Sequence, residues 1–199
     1  MARRKSKAKQ QEELLQALLG AAFVFPALGI FSATGSLGSA VTAGVLCAGI
    51  VIAIMIYVNV KRTERLKRSG IAEIDKMEGV QFEHYLGHLF RSQGYKAKVT
   101  SASGDYGADL VLSKDGKRIV VQAKRYSKNV GLKAVQEVQS AIAHYRASAG
   151  WVVTNRDYTD QAYKLAKSNG VRLIGRDELI EMLLQMREKT AATKKKISA

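Results

Sequence analysis

A formal net charge of +15 on 199 residues suggests an anionic partner, but the distribution of the charge limits what it says about which one. Residues 1–13 carry +3, residues 61–69 +4 and residues 188–199 +3, leaving +5 for residues 70–187, so most of the basicity sits in flanks that suit anionic lipid as well as nucleic acid. The single cysteine, Cys47, excludes an intrachain disulfide and a thiolate-built zinc cluster.

From Leu14 to Val60 there is no Asp, Glu, Lys, Arg or His. An apolar helix needs about 20 residues to cross a hydrocarbon core, so this region has room for two crossings. The run of small and polar residues from Ser32 to Ser39 supplies the break. Helices are therefore expected over Leu14–Phe31, kinked at Pro26, and over Ala40–Val60. Gly44 and Ala48 make a small-xxx-small pair beside Gly49, suited to close packing inside the hairpin or between two copies in a homodimer. Basic residues before and after the pair (Arg3, Arg4, Lys5, Lys7, Lys9; Lys61, Arg62, Arg65, Lys67, Arg68) place both ends in the cytoplasm by the positive-inside tendency. The chain then reads as a two-helix inner-membrane protein in contact with lipid. A cleaved signal peptide is the rival for the first helix, though the second would still anchor the product.

The division that follows is a basic N-terminus (1–13), a transmembrane hairpin (14–60), a basic linker (61–76), a water-soluble domain (77–187) and a basic tail (188–199). In the soluble domain, Phe82, Tyr85, Leu86, Leu89 and Phe90 recur at helical spacing up to Gly94. Strands are expected at Lys96–Ser101, Ala108–Leu112 and Arg118–Ala123, the last two joined by an Asp115-Gly116 turn. Then come a helix at Ala134–Tyr145, a strand at Gly150–Thr154, a helix at Asp160–Ser168, a strand at Val171–Ile174 and a helix at Asp177–Arg187. This order, αβββαβαβα, implies an α/β fold around a mixed sheet.

Two adjacent strands carry polar residues where a buried sheet should be apolar. Asp109 opens one strand, and Gln122 and Lys124, two apart and so on one face, close the next. A hairpin would bring a carboxylate, an amide oxygen and an ammonium group together. Mg²⁺ takes such oxygen ligands and keeps several waters, and a neighbouring Lys can stabilise charge on a reacting phosphate. Taken singly, Asp109 also fits a turn cap and Lys124 a solvated strand end. His84 and His88 lie four apart with no third ligand apparent, and with His144 they read as surface or boundary residues. Trp151 reads as core.

Taken together, Phe82-Glu83, Gly94-Tyr95, Ser103-Gly104-Asp105-Tyr106-Gly107-Ala108-Asp109-Leu110, Val121-Gln122-Ala123-Lys124-Arg125-Tyr126, Ala134-Val135-Gln136-Glu137 and Val153-Thr154-Asn155 closely resemble the Mrr-type restriction endonuclease domain of the PD-(D/E)XK superfamily. The likeness covers about residues 77–183. It implies a restriction-endonuclease-like αβββαβ core with a mixed central sheet, here behind two transmembrane helices. It also implies metal-site roles for Glu83, Asp109 and Gln122 and a catalytic role for Lys124, with Mg²⁺ as cofactor and Mn²⁺ as substitute. Gln122 stands where many superfamily members carry Glu, a mark of the Mrr branch that removes one negative charge from the site. Asp105 would support the loop, although a turn-forming Asp fits it equally. Gln136 would support the lysine strand, and Glu137 fits a solvent-facing position. Arg125 and Lys128 would contact DNA phosphates.

The resemblance implies a membrane-anchored, metal-dependent DNA endonuclease with no small-molecule cofactor, used in restriction of foreign DNA or in DNA processing. The alternative is a catalytically inactive, membrane-bound DNA-binding or scaffolding protein. The topology is open to a direct check: a reporter fused after Arg68 should lie in the cytoplasm and one inserted at Gly35 outside. Both reporters on one side would remove the hairpin.

Overall fold

The computed structural model describes residues 7–100 and 106–197, with side chains placed for residues 16–100 and 106–193. The chain forms two units, residues 1–64 and 65–199.

In the first unit the apolar sequence forms α1 (Lys7–Thr34), which runs through Pro26, and α2 (Leu37–Ser69), which continues into the second unit. The break expected between Ser32 and Ser39 contracts to Gly35 and Ser36, where the Thr34 and Ser39 hydroxyls meet at 3.0 Å. Both helices are long and apolar enough to cross a membrane, and Phe25, Leu28, Leu46 and Ile50 present large apolar side chains outward. Gly44 is buried against Phe23, whose carbonyl oxygen and ring lie 2.8 and 3.0 Å from where a Cβ would be. The small residue thus serves close packing within the hairpin.

The second unit begins in what reads from sequence as a basic linker. Ser69 ends α2, and a short helix α3 (Ile71–Ile74) buries both of its isoleucines. Leu66 packs on the same core, so the packed unit reaches back past residue 77. Next comes α4 (Gly79–Ser92), whose first turn is tied by Gln81 Oε1 accepting the Glu78 backbone N–H at 3.0 Å. Its apolar stripe of Phe82, Leu86, Leu89 and Phe90 is fully buried.

Strands β1 (Lys96–Val99), β2 (Leu110–Lys114), β3 (Lys117–Lys124), β4 (Ala149–Thr154) and β5 (Arg172–Ile174) form one sheet in sequence order. The first three are antiparallel, and β3, β4 and β5 are parallel. The β2–β3 turn is Asp115-Gly116, both at positive φ (50° and 74°), as a two-residue hairpin requires. The parallel pairs are bridged by α5 (Leu132–His144) and α6 (Asp160–Asn169), and α7 (Arg176–Ile197) closes the unit. The expected element order holds. The differences are at ends: β2 starts two residues later, and α7 runs ten residues beyond Arg187.

Alternation along the strands sorts the core into two layers. Leu110, Leu112, Val121, Ala123, Trp151 and Val153 pack with the α4 and α7 side chains, whereas Val120 and Val152 pack with α5 and α6. Trp151 is in the core, against Phe90 and Tyr95.

At the C-terminal end of β3 and β4 a polar clamp holds the loops. Arg176 donates from both terminal nitrogens to the two Asp75 oxygens, each at 2.8 Å, and from Nη1 to the Asn155 carbonyl at 2.8 Å. The fully buried Asn155 donates from Nδ2 to Asp75 at 2.7 Å and accepts the Tyr126 backbone N–H at 2.9 Å. Burial by itself raises the Asp75 pKa, but the bonds from Arg176 and Asn155 and the charges of Arg176 and Arg156 outweigh it, and the net direction is down.

A depressed carboxylate stabilises the fold above its ordinary pKa near 3.8, and that contribution fades as pH falls through the lower folded value. Asp75→Asn should therefore cost about 2 kcal/mol at neutral pH, from hydrogen bonds to charged groups. The gap in melting temperature to wild type should start to narrow below about pH 4 and close only below the lowered folded pKa. Equal melting temperatures at pH 7 would show that the clamp contributes nothing.

Candidate active site

The site lies where β2 begins and β3 ends. Asp109 precedes β2, and its N–H bonds to the Val121 carbonyl at 2.8 Å, so the ladder continues through it. On the other side Thr100 donates to the Asp109 carbonyl from its N–H at 2.9 Å and its hydroxyl at 3.0 Å. The Asp109 carboxylate is thereby held inside the sheet, at 7% exposure. Its Oδ2 accepts from Gln122 Nε2 at 2.5 Å and from the Ala123 N–H at 2.6 Å. Donors supplied by β3 offset the cost of burying a carboxylate.

Gln122 is 4% exposed. With its amide nitrogen committed to Asp109, its Oε1 is buried with no hydrogen-bond partner among the described residues. Such an oxygen carries a standing cost unless something polar meets it.

Lys124, half-buried, follows on the same face. Its Nζ lies 2.9 Å from Glu137 Oε2 on α5, whose other oxygen is 4.0 Å from Lys133. Burial lowers the Lys124 pKa, but the Glu137 hydrogen bond and charge, aided by Asp109, more than reverse this, and the net direction is up. The side chain is an ammonium at neutral pH.

Asp109, Gln122 and Lys124 are thus brought together. Glu83 is half-buried on α4, whose helix packs against β1, β2 and β3. Among the described residues no three of His, Cys, Asp and Glu form a cluster able to hold a metal. Arg125 is half-buried, with its Nε lacking a hydrogen-bond partner among the described residues. Lys128 is exposed, as are His84, His88 and His144, and His144 stacks on Tyr106 at 3.8 Å between ring centres. Asp105 lies outside the described residues.

The helix contact expected from Gln136 is made by its neighbour. Gln136 is exposed, along a surface shared with Gln161 and Lys164 of α6, and Glu137 turns inward to Lys124. Adjacent residues point about 100° apart on a helix, and the docking of α5 on β3 decides which one faces the lysine. The contact is sharpened by Gly107 (φ 88°), where a Cβ would come within 2.3 Å of the Glu137 carbonyl oxygen. No signal short of the fold ties Gly107 to Glu137.

Residues 74–183 match the Mrr_cat family model, described as a restriction endonuclease. The type IV methyl-directed restriction enzyme EcoKMrr of Escherichia coli strain K12 is 32% identical over 87 residues, covering 42% of this chain and 29% of that protein. The chain therefore spans under a third of the length of the curated relative it matches. Among solved structures, the DNA modification-dependent restriction endonuclease AspBHI is 23% identical, covering 61% of this chain and 35% of that one, with a TM-score of 0.49. The MspJI restriction endonuclease, in complex with a 27-mer oligonucleotide, is 20% identical over 72% of this chain and 32% of that one, with a TM-score of 0.37.

Gly107→Ala combines a disfavoured left-handed backbone with a clash against α5. It should lower stability by about 2 kcal/mol or more, read as a drop in melting temperature. A variant as stable as wild type would show that the loop does not rest on Glu137.

Proposed function

Since the chain belongs to the Mrr family of restriction endonucleases, we propose that it is a membrane-anchored, metal-dependent endonuclease that hydrolyses phosphodiester bonds in DNA, serving restriction of foreign DNA or DNA processing. The observation that carries this reading is the Asp109–Gln122 pair at 2.5 Å with Lys124 beyond it on one face of the sheet.

The donor set fits a hard divalent cation. Asp109 supplies a carboxylate, and Gln122 Oε1, which has no hydrogen-bond partner among the described residues, is a neutral oxygen of the kind Mg²⁺ or Mn²⁺ accepts. Glu83, on the α4 side of the sheet, is the second carboxylate that the family resemblance implies. When bound, such a cation polarises phosphate oxygens and lowers the pKa of water. The chain's own residues do the rest. Glu137 pairs with the Lys124 ammonium at 2.9 Å, and that ammonium offsets the negative charge that grows on the phosphate as water adds and a P–O bond breaks. Arg125 and Lys128 hold flanking phosphates without reading bases, Asp105 keeps the supporting role that the family resemblance implies, and the support read for Gln136 falls to Glu137. With glutamine in place of the more usual glutamate, the site has one negative charge fewer. Its metal affinity then depends more on the phosphate oxygens of bound DNA.

For the anchor, the support is the two helices able to cross a membrane, their outward apolar side chains and the basic flanks. The nuclease unit would be cytoplasmic, at the inner membrane.

Full-length protein in detergent, given linear, supercoiled and branched DNA with and without Mg²⁺, tests the reading. Lys124→Ala should cut about a hundredfold more slowly at nearly unchanged DNA affinity. Arg125→Ala should mainly weaken binding and reduce its salt dependence by about one phosphate contact. Cleavage by Lys124→Ala at the wild-type rate would remove that residue from the chemistry. Failure of every version to cut any DNA form would make a tethering, non-cleaving protein the better reading.

A further inference from the structure

The site's face of the sheet extends beyond the cover of α5 and α6. Strand register places its residues in rows. Thr100 joins Asp109 through backbone bonds, Lys98 pairs with Val111 and Val111 with Val120, and Lys96 pairs with Ser113 and Ser113 with Arg118. Rows two residues apart share a face and are separated by about 7 Å. Lys98 is thus one row from the Asp109–Gln122 pair, and Lys96 and Arg118 are two rows away.

Helices α5 and α6 pack over β3, β4 and β5, and that cover thins at Val111, which is only half-buried. Over β1 and β2 the face opens into a groove of about 410 Å³ lined by Lys96, Lys98, Val111, Ser113, Arg118 and Tyr145. All three cations are exposed, and among the described residues no carboxylate lines the groove. The Tyr145 carbonyl accepts from Arg118 Nη1 at 2.7 Å and so fixes the guanidinium at one wall.

Lysines on an edge strand also discourage strand-to-strand aggregation, which would account for Lys96 and Lys98. It would not account for Arg118, which stands on the interior strand β3 and completes the same row.

The geometry points to this groove as the seat of a DNA duplex backbone, with Lys96, Lys98 and Arg118 holding phosphates that lead into the Asp109–Gln122–Lys124 centre. The assignment rests on the nuclease reading for what lies at the end of the track. Phosphate contacts of this kind set position and affinity and carry no sequence information, and each lysine that neutralises a phosphate adds about one unit to the salt dependence of binding.

The test uses full-length protein in phosphatidylcholine nanodiscs, a short fluorescent duplex and EDTA, with affinity measured across a salt series. Lys96→Ala combined with Lys98→Ala should reduce the slope of log affinity against log salt by about two and the affinity by about tenfold at physiological salt. Lys96→Glu combined with Lys98→Glu should lose more. Lys114→Ala combined with Lys189→Ala, on the opposite face, is the charge-matched control and should leave the slope near wild type. An unchanged slope in the groove variants, or an equal loss in the control, overturns the proposal. A difference between the groove variants and wild type that emerges only when phosphatidylserine is added to the discs overturns it in favour of lipid headgroups. Wild-type protein that binds duplex through these lysines but cuts no DNA when Mg²⁺ is supplied removes the nuclease reading and leaves the groove assignment standing. Binding of no duplex at all overturns both.

Discussion

A carboxylate buried where β2 begins and β3 ends is the constraint around which the second unit is built. Leaving an ionised Asp109 unsatisfied there would cost several kcal/mol. The Gln122 amide and the Ala123 N–H meet it at 2.5 and 2.6 Å, and both come from the neighbouring strand. The register of β2 against β3 is therefore set by charge satisfaction as well as by the apolar pairs on either side. The same bonds orient the Gln122 oxygen and bring Lys124 out two residues further on. The fold's stability therefore rests on the same bonds that set the geometry of this cluster.

The two faces of the sheet answer different demands. Toward α4 and α7 Leu110, Leu112, Val121, Ala123, Trp151 and Val153 are apolar and buried, which fixes the platform. Toward α5 and α6 the layer is interrupted: Val120 and Val152 anchor the helices, and the polar residues collect where helical cover ends. One face stays half open over β1 and β2 while the other supplies the burial that keeps the short strands together.

Much of this was legible in the amino-acid sequence, for physical reasons that can be named. The charge-free stretch from Leu14 to Val60 and the helical spacing of Phe82, Leu86, Leu89 and Phe90 are local patterns, and local patterns survive without knowledge of the fold. The meeting of Asp109 with Gln122 and Lys124 was legible because a two-residue turn fixes register. What escaped depends on docking. Glu137 and Gln136 differ by one helical position, and only the seat of α5 on β3 decides between them. The basic composition around residues 61–76 hides Leu66, Ile71 and Ile74, which join the core. Asp75 and Arg176 are 101 residues apart, and nothing local marks them as partners.

That last separation bears on how the protein is made. Asp75 leaves the ribosome 101 residues before Arg176, yet Asn155 and the Tyr126 backbone, two residues past Lys124, hang from the pair they form. A nascent chain can assemble its β2–β3 hairpin from neighbours in sequence, but the loop beyond the lysine is not secured until α7 has emerged and docked. The unit thus acquires its finished working end last, after translation of the rest of the sheet. A chain truncated before Arg176 would carry Asp109, Gln122 and Lys124 and still lack the contact that secures the loop beyond Lys124.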